Sequence, residues 1–296
     1  MTKAAFAVAG VALLVAVHAG QSTGAVAPRG ERGGERAGER GGERGGRAVI
    51  HLKGMVENKT IGPLNVVGPY RIVESSKNLV TRNLRIRGIT GLDLQRDGIR
   101  LRGDIDGATI QNFRLVMRRQ QQSPPNLPTG IAVVSGRRVR ISDGEVAGFQ
   151  MVRIPGKYTN GDGIAAERQV HDLSISRVIS RNNSDAGFDL KSSPTTLDQL
   201  RAENNGRNYR FWARVDAGTL TSVDPRGAHI WAGNGAVVHI KRLVARSSTR
   251  APLVQIERGG QVVIDQCELR LPAGTRLVEK SNEGRVVLGR GCSNPR

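Results

Sequence analysis

The most regular signal in the chain is a short phrase of alternating apolar and polar residues that recurs from residue 97 onward. It reads "DGIRLRG" at 97, "TGIAVVSG" at 129, "DGIAAERQ" at 162, "AGFDLKSS" at 186, "NYRFWARV" at 208, "AHIWAGNG" at 228, "APLVQIERG" at 251 and "TRLVEKSN" at 275. Alternation over so few residues predicts a short strand with one buried face. Most phrases are followed by a second alternating run, such as "ATIQNF", "VRISDGEV", "LSISRVIS" or "VVHIKRLV". The leading inward candidates Ile99, Ile131, Ile164, Phe188, Phe211, Ile230, Val254 and Leu277 are spaced 32, 33, 24, 23, 19, 24 and 23 residues apart. Several strands per period, Gly and Asn between them and no helical periodicity predict an all-β, right-handed parallel β-helix in a single domain. The Leu-rich consensus of the rival solenoid at this spacing is missing. Residues 79–296 form the β-helix in this reading, and 48–78 form an N-terminal cap with the first strands. Asn112, Asn182, Asn183, Asn204 and Asn205 are expected at corners, where amides stack from coil to coil as they do in other parallel stacks.

Because strand side chains alternate between faces, each inward pair fixes its outward neighbours. With Phe188 and Leu190 inside, Asp189 and Lys191 point out; with Tyr209 and Phe211 inside, Arg210 and Trp212 point out. The same registration puts Glu167, His229, Trp231 and Glu257 on one exposed sheet, each about 4.8 Å from the next coil's residue. Both tryptophans of the chain fall there. Aromatic faces beside mixed charges suit a sugar ring, so Trp212, Trp231, His229 and Glu167 are candidate substrate-binding residues.

Composition narrows the partner. Lys3, the apolar stretch from Ala4 to Val17 and "VHA" before Gly20 form the pattern of a secretory signal peptide over residues 1–19, which makes the product secreted or periplasmic. The apolar stretch is shorter than the roughly twenty residues a membrane span needs, so no transmembrane segment is expected. Residues 20–47, with "RGERGGERAGERGGERGGR" inside them, are too rich in Gly and charge to bury anything and read as a flexible linker. Residues 1–47 hold 7 of the 45 basic and 4 of the 26 acidic residues, so the rest keeps 38 minus 22, a net +16. For an exported monomer, such a charge favours an acidic polysaccharide or anionic lipid headgroups over nucleic acid. The two cysteines, Cys267 and Cys292, lie about one repeat apart and can form one disulfide; with no neighbouring His pair they do not make a zinc site.

The stretch "SDAGFDL", residues 184–190, with "GDGI" one coil earlier and "NYRF" one coil later, resembles the family-9 pectate lyases, whose motif reads S-D-D-G-[WF]-D-L. That resemblance implies a polysaccharide lyase, or a related C5 epimerase, that uses Ca2+ in β-elimination. It implies metal ligands at Asp185 and Asp189, with Asp162 as the third carboxylate, although the motif's middle aspartate is Ala186 here. The family's catalytic lysine falls on Arg210. Arginine holds its proton in proteins, so Arg210 fits a clamp on a substrate carboxylate, and Lys191 is the alternative base, with His229 a third candidate. A glycosidase would need paired carboxylates, but the segments expected of β-helix polygalacturonases are missing. A non-catalytic β-helix that binds an anionic envelope glycan is the alternative to an enzyme.

Overall fold

The computed structural model describes residues 48–293 except 119–120, 123–126, 158, 234, 258 and 281–282; the expected signal peptide and linker lie outside the described residues. Among the described residues every regular element is a strand, and the strands stack in parallel. Ten of them form the spine of one sheet, here the front sheet, beginning Ala48–Leu52, Arg71–Ser75, Asp97–Leu101, Thr129–Arg137 and Asp162–His171. It continues through Ala186–Leu190, Arg207–Phe211, Ala228–Ala232, Val254–Ile256 and Val278–Lys280. The second runs of each repeat, such as Leu173–Arg181 and Val237–Arg246, form the back sheet in the same coil order. The chain is therefore a parallel β-solenoid of about ten turns, as the repeat predicts, with the core enclosed between the sheets.

The register refines the phase of the repeat. Ile99, Ile131, Ile164, Phe188, Tyr209, Ile230, Val254 and Val278 are successive partners. Tyr209, not Phe211, therefore continues the Phe188 column, and Val278 replaces Leu277. Phe211 heads the next inward column, between Leu190 and Ala232. All of Phe188, Leu190, Tyr209 and Phe211 are fully buried, so the expected outward direction of Arg210 stands. Phe188 and Tyr209 stack with centroids 5.3 Å apart and planes 7° from parallel. The Tyr209 hydroxyl donates to Thr221 O at 2.8 Å, so the ring is buried without stranding its polar end.

Amide ladders form at the corners. Asn182 and Asn204 take left-handed φ values of 58° and 51°, which asparagine tolerates better than most residues, and Asn204 Nδ2 donates to Asn182 Oδ1 at 2.8 Å. Beside them runs a buried ladder in which Asn183 Nδ2 donates to Asn205 Oδ1 at 2.8 Å and Asn205 Nδ2 donates to Asn208 Oδ1 at 2.9 Å. It continues through Asn208 Nδ2 to Ser222 Oγ at 2.8 Å and ends at His229 Nδ1, 2.7 Å from that hydroxyl. At the other end of the chain, Cys267 and Cys292 form a disulfide that ties the strand Gln261–Arg270 to the turn after Arg285–Arg290.

His229 is thus a correction to the outward registration: it is fully buried and faces the interior, out of reach of a substrate. Strict alternation fails there because the residue before the inward Ile230 sits at the corner. The equivalent position on earlier coils is Gly98, Gly130, Gly163 and Gly187, where an added Cβ would run into the next coil's backbone or the packed interior. Burial holds the His229 imidazole down to about 4, only partly offset by Asp224 and Ser222. An unfolded histidine takes its proton near 6.5, so the stability contributed by keeping His229 neutral is full above that pH and is lost as pH falls toward 4. That loss is about 3 kcal/mol at the acid end of the window. His229→Asn, which copies the Asn208 solution, should flatten the stability profile between pH 6.5 and 4 in denaturant melts. Phe188→Ala should cost about 3–5 kcal/mol at any pH, read in the same melts.

Candidate functional site

The front sheet presents its outward side chains in columns fixed by the register. One column reads Glu74, Arg100, Ala132, Ala165, Asp189, Arg210, Trp231, Gln255 and Glu279 on successive coils. Its neighbour on one side carries Arg71, Asp97, Thr129 and Asp162, followed by Ala186, Arg207 and Ala228. Beyond the inward residues on the other side lie Glu167, Lys191 and Trp212, each one coil further on. The sequence candidates other than His229 therefore do converge, on four consecutive coils.

They converge as an ionic lattice. Arg210 donates to Asp185 Oδ2 at 2.8 Å, and its Nε lies 3.6 Å from Asp189 Oδ1. Lys191 Nζ lies 2.9 Å from Glu167 Oε1 and 3.6 Å from Asp189 Oδ2. Arg207, on the coil of Arg210, lies 3.6 Å from Asp185 Oδ1. Each carboxylate of the lattice thus faces a cation on its own or an adjacent coil. These are part-buried pairs, with Asp189 only 4% exposed and Arg210 16%, so their mutual attraction is screened less than at an open surface.

The tryptophans close the site on one side. Trp212 Nε1 donates to Asp189 Oδ1 at 2.6 Å and Trp231 Nε1 donates to Glu257 Oε1 at 3.2 Å. The two rings lie 4.5 Å apart at 58°, and the Arg210 guanidinium sits 4.7 Å from the Trp212 ring and 5.5 Å from Trp231. Here the structure corrects a second expectation. Trp231 is only 5% exposed, enclosed by Trp212, Arg207 and Arg210, and it leans over Gly233, where a Cβ would strike the indole. It supports the site and offers no open face; Trp212 remains half-exposed.

The third carboxylate lies underneath. Asp162 is 3% exposed; its Oδ1 accepts the Ala186 N–H at 2.8 Å, and Asn160, with its amide turned to donate, reaches Oδ2 at 2.9 Å. Burial, reinforced by Asp185 and Asp189, raises its pKa well above the ordinary carboxylate value. Asp185 is also raised, first by burial, with Arg210 pulling the other way. The site therefore sets a buried carboxyl whose proton affinity is raised beneath a part-buried ion-pair network, an arrangement that can bind polar groups.

The calcium ion implied by the motif does not fit these side chains. Arg210 donates to Asp185, Trp212 to Asp189 and the Ala186 amide to Asp162, so an N–H donor already sits on one oxygen of each carboxylate and the Arg210 cation lies where a hard cation would bind. Among the described residues no group of three or more His, Cys, Asp or Glu side chains is placed to hold a metal ion. Sequence reasoning found Arg210 and the acidic residues but missed Arg207 and Asn160. Arg207 could have been found from the register, since it stacks on Ala186 in the column that holds Asp162; nothing in the sequence marks the Asn160 amide as a partner of Asp162.

No protein-family model and no curated protein matches the chain. Among solved structures it is similar to the crystal structure of the Dettilon tailspike protein, at 10% identity and a TM-score of 0.35. The match covers 81% of this chain and 60% of that one, so the chain spans less than two thirds of its length. At that score the likeness assigns nothing to the site.

Arg210→Met should strand Asp185 and Asp189 beside each other and cost about 2–4 kcal/mol at neutral pH, the penalty for removing one member of a part-buried pair. Denaturant melts should show the penalty shrinking as the pH is lowered through the carboxylate range, because protonation relieves the repulsion. A neutral Arg210→Met variant would mean that the lattice contributes nothing.

Proposed function

We propose that this chain is an exported β-helix protein that binds an acidic polysaccharide along its front sheet, with the half-exposed Trp212 ring and its Arg210 neighbour as the main contact. The observation that carries this reading is the state of Trp212. Its indole N–H is fixed on Asp189, its neighbour Arg210 is fixed on Asp185 and Asp189, and its ring, packed on Trp231 and Arg210, keeps part of its surface exposed. An aromatic ring held by its N–H among ion-paired charges suits the C–H face and hydroxyls of a sugar ring. The net +16 of residues 48–296 favours an acidic chain and speeds encounter with it. Export rests on the residue 1–19 signal pattern.

A second reading has its own observation. The raised carboxyls of Asp162 and Asp185 are the kind of perturbed groups that accompany proton transfer. With Lys191 nearby, they favour an elimination or C5 epimerisation of the same glycan. In that reaction a base removes the C5 proton of a uronate while an acid protonates the departing C4 oxygen, or a proton returns to the opposite face of C5.

Affinity electrophoresis in gels containing pectate, alginate or a glycosaminoglycan tests the binding. Retardation should persist in a chelator, fall steeply with salt and weaken by about tenfold in Trp212→Ala, the scale of losing one well-placed aromatic contact. Equal mobility in every gel would overturn the proposal. An unsaturated product detected by ultraviolet absorbance would favour the second reading, and a requirement for added calcium would restore the metal site that the geometry disfavours.

A further inference from the structure

Three coils before the carboxylate lattice, the front sheet carries a second charged cluster that none of the motifs absorbed. It comprises Arg71, Arg96, Arg100 and Arg102 around Glu74 and Asp97, four positive charges against two negative. Arg71 takes most of the acidic capacity: its Nε donates to Asp97 Oδ2 at 2.7 Å and its Nη1 to Glu74 Oε2 at 3.0 Å. Arg102 lies 3.6 Å from Glu74 Oε1 and donates to Ser75 O at 2.9 Å. Arg96 donates from Nη1 to the Tyr70 hydroxyl at 2.9 Å, with its Nε 3.9 Å from Asp97. Arg100 receives nothing: among the described residues it makes no hydrogen bond or ion pair, and its Nε, like that of Arg96, is buried without a hydrogen-bond partner.

Stranding guanidinium N–H groups away from water is costly unless an acceptor completes them. Burial, first, and the surrounding arginines lower the Arg100 pKa, with Asp97 pulling the other way. The next two residues in the Arg100 column are Ala132 and Ala165, so the surface between this cluster and Asp189 is floored by methyl groups. Arg100 to Arg210 is four strand spacings, about 19 Å, the span of a short oligosaccharide rather than of one sugar.

We propose that Arg96 and Arg100 form an oxyanion subsite, and that it takes a carboxylate or sulfate of a glycan lying over Ala132 and Ala165 toward Arg210. The glycan path rests on the binding reading above; the oxyanion site stands without it. The guanidinium of Arg100, with the partly engaged Arg96 beside it, matches the paired oxygens of a carboxylate or sulfate group, and the alanines leave room for the sugar that carries it.

The test compares the intact protein with Arg100→Gln, with Trp212→Ala and with Arg140→Gln, an exposed back-sheet arginine without an ion pair among the described residues that controls for lost charge. Isothermal titration with inorganic sulfate, an oligogalacturonate and a heparin-derived oligosaccharide reads the affinities, and circular dichroism verifies that each variant is folded. Arg100→Gln should weaken the better-bound oligosaccharide by about tenfold or more, while Arg140→Gln should weaken it by no more than about twofold. The preferred probe separates a carboxylate from a sulfate ester, and saturable sulfate binding that disappears in Arg100→Gln supports the subsite on its own. Equal losses in the two arginine variants would reduce the effect to net charge and overturn the subsite. Loss in Trp212→Ala with none in Arg100→Gln would overturn the subsite and leave the binding reading standing. Loss in Arg100→Gln alone would do the reverse.

Discussion

In a parallel solenoid every outward side chain has its counterpart one coil above and one below, about 4.8 Å away. That single constraint governs the surface of this protein. Like charges placed in such a column repel across a short, partly screened distance, and a column cannot avoid the contact by slipping, because a one-residue slip would turn the buried Ile, Leu and Phe outward. The inward columns lock the register, and the outward columns must then be compatible with it.

The chain meets this by pairing charges across coils. Asp189 lies beneath Arg210 in one column, Asp185 receives Arg210 and Arg207, and Glu167 receives Lys191 from the following coil. The back sheet does the same at lower burial, where Arg114 and Arg181 share Glu145, and Arg242 and Arg246 share Glu268. These exposed pairs contribute little individually, but they spread the net positive charge so that most arginines are held by a neighbour. The cluster around Arg100 breaks the pattern, and the Asp162 carboxyl breaks it in the opposite sense through burial beside other acids.

The fold was legible because hydrophobic periodicity carries register directly: Ile99, Ile131 and Ile164 announce both the strand and its stacking partner. The direction of Arg210 followed from Tyr209 and Phe211, even though the column assignment of those two rings was exchanged. His229 was misread because alternation describes a strand and not the corner that starts it, and four glycines on earlier coils concealed that the corner position faces inward. The acidic residues of the motif are a different case. Asp185 and Asp189 stand where the motif puts them, but the motif specifies carboxylates and not what binds them, and here Arg210 and Trp212 donate to them. Trp231 was placed in the right column and given the wrong exposure, since Gly233 lets the indole lie flat and no spacing rule reveals that.

Paired columns also restrict how such a chain can change length. Solenoids ordinarily grow or shrink by duplicating or deleting whole coils, because each coil contacts only its neighbours. Removing the coil that carries Asp185 and Asp189 would set Arg210 against Ala165, leaving Arg207 and Arg210 without their acids; duplicating it would stack aspartate on aspartate. Between Ala132 and Ala165 the column is neutral, so a coil can be gained there at far smaller electrostatic cost. The alanine floor is therefore the natural joint of the solenoid, the place where it can be lengthened while the Arg210 lattice on one side and the Arg100 cluster on the other remain whole.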